Sequence, residues 1–227
     1  MLIGGLQKLT LIDYPGKISC TVFTIGCNFD CAFCHNPELV DSNKIKNQPI
    51  IPEEVFFEFL GTRQGILEGV CITGGEPTLH QDLPEFIKKI KNLGFAVKLD
   101  TNGSNPDILE NLIKEKLLDY IAMDVKAPLK SQISNLKSQI LESIKIIKNS
   151  RIDYEFRTTV VPSLHSKEDI MQIAQELSPA KKYFLQQFYP SKTLDPDFQK
   201  EKSYPIEELK ELCQTIKPYF EHCELRS

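Results

Sequence analysis

Cys27, Cys31 and Cys34 stand at C-x-x-x-C-x-x-C spacing within Ile25-Gly-Cys-Asn-Phe-Asp-Cys-Ala-Phe-Cys-His35. Three thiolates this close in sequence suit a three-point grip on an iron–sulfur cube. A [4Fe–4S] cluster normally takes four cysteines, so three leave one iron with an open coordination position where chemistry can happen. Other readings compete. The same positions fall at i, i+4 and i+7, the spacing of a buried helical stripe, although Gly26, Asn28 and Asp30 are poor helix-interior residues and Pro37 follows closely. A zinc site asks for four ligands, with His35 as the candidate fourth, but adjacent Cys34 and His35 would struggle to reach one ion. A disulfide framework suits small secreted chains rather than this one.

Further polar groups recur where apolar runs end. Gly74-Gly75-Glu76-Pro77 follows a strand-like run directly. Glycines there let the backbone approach a ligand, and free carbonyls with Glu76 are acceptors for an ammonium group. An ordinary strand-exit turn is the competing reading. Asp100-Thr101-Asn102-Gly103 is equally ambiguous alone, since Asn-Gly is a common turn dipeptide. Asp124 and Lys126, two apart, share one side of a strand, either as a functional pair or as a surface ion pair of little energetic weight. Arg157 lies in the apolar context Glu155-Phe-Arg-Thr-Thr-Val-Val161 and, if it points inward, needs a carboxylate or phosphate partner.

The elements that carry these groups alternate. Ile18–Ile25, Gly69–Thr73, Phe95–Leu99, Tyr120–Val125, Tyr154–Val161 and Tyr183–Phe188 read as strands, being rich in β-branched and aromatic residues. Pro52–Leu60, Leu83–Leu93, Pro106–Leu118, Ser134–Asn149, Lys167–Leu177 and Pro205–Tyr219 read as helices from their apolar faces and their Pro, Gly and acidic end signals. Residues 1–17 form an extended stretch ending in Pro-Gly, residues 36–51 a polar loop, and Cys223–Arg226 a short terminal strand. Strand–helix alternation implies parallel strands covered on the outside. A complete barrel needs eight strands and typically about 250 residues, so the expectation is an α/β fold: a partial, open (β/α)6 barrel. A doubly wound sheet is the alternative. The polar clusters favour the barrel, because they lie at strand exits, where barrel active sites are built.

Composition narrows the function classes. The chain has 227 residues, 41% hydrophobic and 26% charged, consistent with one domain over residues 1–227. A net charge of −4 leaves no electrostatic footprint for nucleic acid. No apolar run approaches a membrane span, and the N-terminus lacks a signal-peptide pattern, so a cytoplasmic setting is expected. Cys20 and Cys71 read as small buried thiols. Cys213, Cys223, His165 and His222 have no assignable role.

The chain resembles the radical S-adenosylmethionine (SAM) superfamily, whose signature is C-x-x-x-C-x-aromatic-C, with Phe33 as the aromatic. The succession Gly-Gly-Glu-Pro, Asp-Thr-Asn-Gly, Met-Asp-Val-Lys and Arg-Thr-Thr-Val-Val-Pro looks like the glycyl-radical-enzyme activases. Gly5–Gly16 and Gln186–Pro196 look like the activating proteins of anaerobic ribonucleoside-triphosphate reductases. The resemblance implies that Cys27, Cys31 and Cys34 ligate a [4Fe–4S] cluster whose fourth iron chelates SAM. It implies cofactor contacts from Phe33, Gly74, Gly75, Glu76, Asp100, Thr101, Asn102, Asp124, Lys126 and Arg157, with Val160 and Val161 near the adenine. A monovalent cation at Asp100, Thr101 and Asp124 is a further implication. Pro162-Ser-Leu-His165 departs from the glycine-containing motif frequent there. Implied partners are a glycyl radical enzyme and an electron donor such as flavodoxin or ferredoxin. No protein acid or base is required. Two other functions stand beside this one: a small-molecule radical enzyme similar to 7-carboxy-7-deazaguanine synthase, and a non-catalytic iron–sulfur or metal-binding protein.

Overall fold

Each apolar run is returned to the sheet by an amphipathic helix, so strand order follows chain order. The computed structural model describes residues 1–131 and 134–226. Its strands are β1 (Ile3–Thr10), β2 (Ser19–Thr24), β3 (Gly69–Gly74), β4 (Ala96–Thr101), β5 (Tyr120–Asp124), β6 (Asp153–Val160), β7 (Ala180–Gln187) and β8 (Phe220–Arg226). They form one eight-stranded sheet in the order β1 to β8. β1 runs antiparallel to β2, and every later pair is parallel. The sheet curls but stays open, with β1 and β8 as its edges. The expected partial barrel is therefore present. Its six expected strands are flanked by an antiparallel strand drawn from the extended N-terminal stretch and by a β8 longer than Cys223–Arg226.

The helices are α1 (Pro37–Val40), α2 (Ser42–Ile45), α3 (Glu53–Gly61), α4 (Leu83–Asn92), α5 (Pro106–Lys114), α6 (Ser134–Asn149), α7 (Lys167–Leu177) and α8 (Ile206–Ile216). α4 shows why they form. Leu83, Phe86, Ile87 and Ile90 are buried on one face, each contributing roughly 1.5–3 kcal/mol relative to exposure, and Gly94 in a positive-φ conformation ends the run. α7 begins with a reciprocal cap between Ser166 and Asp169.

Three expectations need correction. Residues 36–51 are not a plain loop, because Pro37 starts α1 and the Asp41 side chain accepts from Asn43 N at 2.8 Å to start α2. α5 stops before Leu118, since Lys116 turns the chain with φ 57. α8 ends at Ile216 and gives way to a 3₁₀ turn over Lys217–Tyr219.

Alternation along the strands separates two interiors. Val97 and Leu99, Ile121 and Met123, and Tyr154, Phe156 and Val160 join the apolar core between sheet and helices. The residues between them, Lys98 and Asp100, Asp124, Glu155 and Arg157, bond to one another on the opposite, concave side. The apolar strand runs thus conceal a charged barrel lumen.

Candidate active site

The segment after β2 is a loop with a turn at Ala32–Phe33, so Cys27, Cys31 and Cys34 do not form a helical stripe. Cys34 N donates to Cys31 O at 2.9 Å, and Phe29 N donates to Cys27 Sγ at 3.3 Å. All three cysteines line one cavity of about 850 Å³, open mouth included, together with Phe33, Thr73, Gly74, Gly75, Glu76, Asp100, Thr101, Asn102, Asp124, Lys126 and Thr159. Burial pushes the Cys27 and Cys31 thiols up, while the Lys126 ammonium pulls both back toward the thiolate a metal requires. His35 turns away from its neighbour: its ring stacks on Phe188, and Nε2 lies 2.9 Å from Tyr189 O. Among the described residues, no three His, Cys, Asp or Glu side chains converge on a single-ion site. A zinc ion would need such convergence at about 2–2.3 Å, whereas a four-iron cube spreads its thiolates apart.

The loop after β7 clasps the cysteine loop from above. Asp195 N donates to Ala32 O at 2.9 Å, and Phe188 meets Phe33 edge-on. From below, the Gly-Gly-Glu loop is tied to it: Gly75 N donates to Thr24 O at 2.9 Å and Glu76 N to Gly26 O at 2.8 Å. A Cβ on Gly75 would lie 1.9 Å from Gly26 O, and one on Gly74 would lie 2.2 Å from Thr24 N. Only glycine permits this approach.

Glu76 is almost fully buried. Its Oε1 accepts from Thr78 N at 3.2 Å, Thr78 Oγ1 at 2.6 Å and Thr101 Oγ1 at 2.7 Å, and its Oε2 accepts from Asn102 N at 2.6 Å. Burial raises its pKa above the usual carboxylate range although these four donors pull it down. Both oxygens are committed to the framework, although Glu76 also lines the cavity. Asn102 Nδ2 in turn reaches Asn28 Oδ1 at 3.0 Å, and Asn28 Nδ2 reaches Ser104 Oγ at 2.8 Å. Asp100-Thr-Asn-Gly103 thereby braces both other loops.

Behind the rim lies a belt of charge. Arg157 Nε donates to Asp124 Oδ1 at 2.8 Å and Nη2 to Asp100 Oδ2 at 3.1 Å, with Glu155 Oε1 3.9 Å from Nη1. Lys126 Nζ donates to Asp124 Oδ2 at 3.3 Å, and Lys98 Nζ donates to Asp100 Oδ1. Burial alone would raise both aspartates, but Arg157 with Lys98 at Asp100, and with Lys126 at Asp124, holds them below the usual range. Arg157 does not line the cavity; it holds two carboxylates that do. Val160 and Val161 are fully buried and likewise stand outside the lining.

Several participants escaped the sequence reading. Lys98 was visible as a lone charge inside an apolar strand, and Asn28 and Thr78 as polar residues beside the motifs. His165 had no local signal. In the folded chain its Nδ1 accepts from Val161 N at 3.1 Å and its Nε2 donates to Lys126 O at 2.9 Å. The Pro162-Ser-Leu-His165 departure therefore supplies a bridge between the end of β6 and the Lys126 backbone.

An open parallel barrel with three cysteines on its first rim loop, facing a glycine-lined, acid-rich cavity, defines a class of cluster-bearing enzymes. A model of the radical SAM superfamily matches residues 21–177, and the chain belongs to that superfamily. It is thus a radical SAM oxidoreductase, and membership implies a [4Fe–4S] cluster and SAM as cofactors. The residues fit both: three thiols open on one cavity, and the backbone beside them lacks Cβ atoms. A Methanocaldococcus jannaschii protein, provisionally named a glycyl-radical enzyme activating enzyme, is 36% identical over 100% of this chain and 96% of its own. The pyruvate formate-lyase-activating enzyme of Clostridium pasteurianum is 27% identical over 76% of this chain and 74% of its own. SuiB of Streptococcus suis bound to S-adenosylmethionine is similar in fold, with TM-score 0.65 and 16% identity over 90% of this chain. The chain spans about half of that structure, 51%.

Proposed function

We propose that residues 1–227 act as one radical SAM domain that activates a glycyl radical enzyme, with an anaerobic ribonucleoside-triphosphate reductase as the partner. The observation that carries this is the single cavity shared by Cys27, Cys31, Cys34 and the three strand-exit clusters. The full-length likeness to an activating enzyme supports the same reading. The three cysteines would hold the cluster. The Gly74–Gly75 backbone would receive the SAM amino group, and Lys126, whose ammonium is held protonated by Asp124, would meet its carboxylate. Asp100, Thr101 and Asn102 would shape the floor, and Phe33 would shield the cluster from water.

When bound at Cys27, Cys31, Cys34 and the glycine-lined rim, the cluster and SAM would supply the hard chemistry, reductive cleavage of SAM by one electron from a donor such as flavodoxin or ferredoxin and hydrogen abstraction from a glycine Cα of the partner. The chain's own residues orient and exclude. Rim loops tied at Gly75, Glu76 and Asn102 fix the geometry before the cofactor arrives, and a misplacement of 1 Å in such sites costs about a hundredfold in rate. The open side between β1 and β8 admits a loop of the partner. A cytoplasmic setting accords with this chemistry; among the described residues no helix is long and apolar enough to cross a membrane. The monovalent cation is the expectation least supported, because the Asp100 and Asp124 oxygens already accept from protein cations.

The test is anaerobic. Reconstituted, reduced protein is mixed with SAM and the reductase, and electron paramagnetic resonance should show a glycyl radical on the reductase. SAM cleavage without that radical would remove the activase assignment while leaving the superfamily chemistry.

A further inference from the structure

The resemblance places a monovalent cation between Asp100, Thr101 and Asp124, and the geometry puts protein nitrogen there instead. Asp100 Oδ1 accepts from Lys98 Nζ and its Oδ2 from Arg157 Nη2 at 3.1 Å. Asp124 Oδ1 accepts from Arg157 Nε at 2.8 Å and its Oδ2 from Lys126 Nζ at 3.3 Å. Thr101, the third expected ligand, donates its hydroxyl to Glu76 at 2.7 Å and accepts from Gly103 N at 3.1 Å. Asp100 and Asp124 thus face three cationic side chains, while Glu155, 3.9 Å from Arg157, is neutralised from behind by Arg226 at 2.7 and 2.9 Å. A metal ion would be a fourth positive charge within a few ångströms, and Coulomb repulsion at that range is large in a partly buried site.

Lys98 is the unusual member. Its side chain is only 2% exposed, in a strand whose neighbouring positions join the apolar core. A buried ammonium is costly unless paired, and Lys98 has Asp100 beside it and Cys71 Sγ at 3.6 Å. Alternation from Asp100 puts Lys98 on the same face, one pleat deeper in the lumen. It approaches Asp100 from beneath and does not line the cavity. Lys126, by contrast, lines the cavity with its side chain 29% exposed and can turn to a ligand. Arg157 alone would then join the two aspartates, and Lys98 would still neutralise Asp100.

We propose that Lys98 is a resident cation of the site, a positioning residue whose ammonium takes the place of a monovalent metal ion at Asp100, so that this chain binds SAM without one. The inference rests on SAM binding at this rim. The experiment measures SAM affinity by equilibrium dialysis on anaerobic holoenzyme in potassium, sodium or choline chloride at equal ionic strength, with SAM-cleavage rates alongside. The wild type should bind equally well, within twofold, in all three salts. Lys98→Met should lose about tenfold or more of its SAM affinity in choline chloride, the scale of one charged hydrogen bond, and recover it in potassium or sodium chloride. A wild type whose affinity collapses in choline chloride overturns the proposal, and this arm stands even if the variant does not fold. A folded variant with the same affinity in every salt overturns it too. Wild type that binds SAM in no salt removes the SAM reading itself, and the inference with it.

Discussion

Glu76→Gln separates the contact with a bound amine expected from the sequence from the internal bracing that the fold reveals. The carboxylate accepts four bonds: three at Oε1, from Thr78 N, Thr78 Oγ1 and Thr101 Oγ1, and one at Oε2, from Asn102 N. Thr101 Oγ1 accepts from Gly103 N and Thr78 Oγ1 from Asn105 Nδ2, so both hydroxyl protons are aimed at Glu76. Glutamine offers one acceptor oxygen. Its better orientation keeps that oxygen among the three donors and sets its NH₂ against the Asn102 N–H. One charge-assisted bond, about 1.5–3 kcal/mol, is lost, and the others weaken toward neutral strength. Removing a buried charge returns part of that. We expect a net loss of about 2 kcal/mol, seen as a melting point about 4–8 °C lower for a chain of this size. Urea or thermal unfolding of the cluster-free protein measures it, with SAM affinity of the holoenzyme as the second readout. A variant that unfolds like wild type yet loses SAM binding would refute the bracing role and make Glu76 a direct ligand.

Other perturbations probe the lumen and the cysteines. Arg226 holds fully buried Glu155 through two bonds of 2.7 and 2.9 Å. Arg226 is itself partly exposed, and Glu155 keeps the Tyr120 hydroxyl at 2.9 Å and Arg157 at 3.9 Å, so Arg226→Ala should cost about 1.5–3 kcal/mol in denaturant unfolding, the scale of charged hydrogen bonds; an unchanged unfolding free energy would contradict the pairing. Because Asp124 is held below its ordinary pKa in the folded chain, its contribution is complete above the unfolded value of about 3.9 and disappears as pH falls below it. The unfolding free energy of wild type should drop steeply below about pH 4 and that of Asp124→Asn less steeply, and superimposable acid limbs would disprove this. Burial pushes the Cys20 thiol up to about 12 and raises Cys71 as well, whereas Cys27, Cys31 and Cys34 are half-exposed. Iodoacetamide at about pH 8 should label those three faster than Cys20 and Cys71 in the native cluster-free protein, and cluster reconstitution should protect them; mass spectrometry showing equal labelling of Cys20 would contradict the assignment.

The sequence by itself determined what is local or periodic. Apolar runs punctuated by Pro and Gly set the order of strands and helices, and Ser134–Asn149 and Lys167–Leu177 emerge with the bounds their apolar faces imply. The cysteine spacing announced a cluster because three ligands on one short loop need no long-range information. What only the tertiary structure decided is who partners whom across the sheet. Residue alternation makes Lys98 and Arg157 look like isolated charges in apolar strands, and only the curl of the sheet brings Lys98, Asp100, Asp124, Glu155 and Arg157 together from three strands. The bracing by Glu76 was hidden because its partners Thr101 and Asn102 lie 25 and 26 residues away. His165 looked idle because its two ring partners, Val161 N and Lys126 O, meet only where β5 and β6 end side by side. Hydrophobic patterning encodes elements one at a time, whereas a buried polar group must be satisfied by whatever the folded chain places beside it.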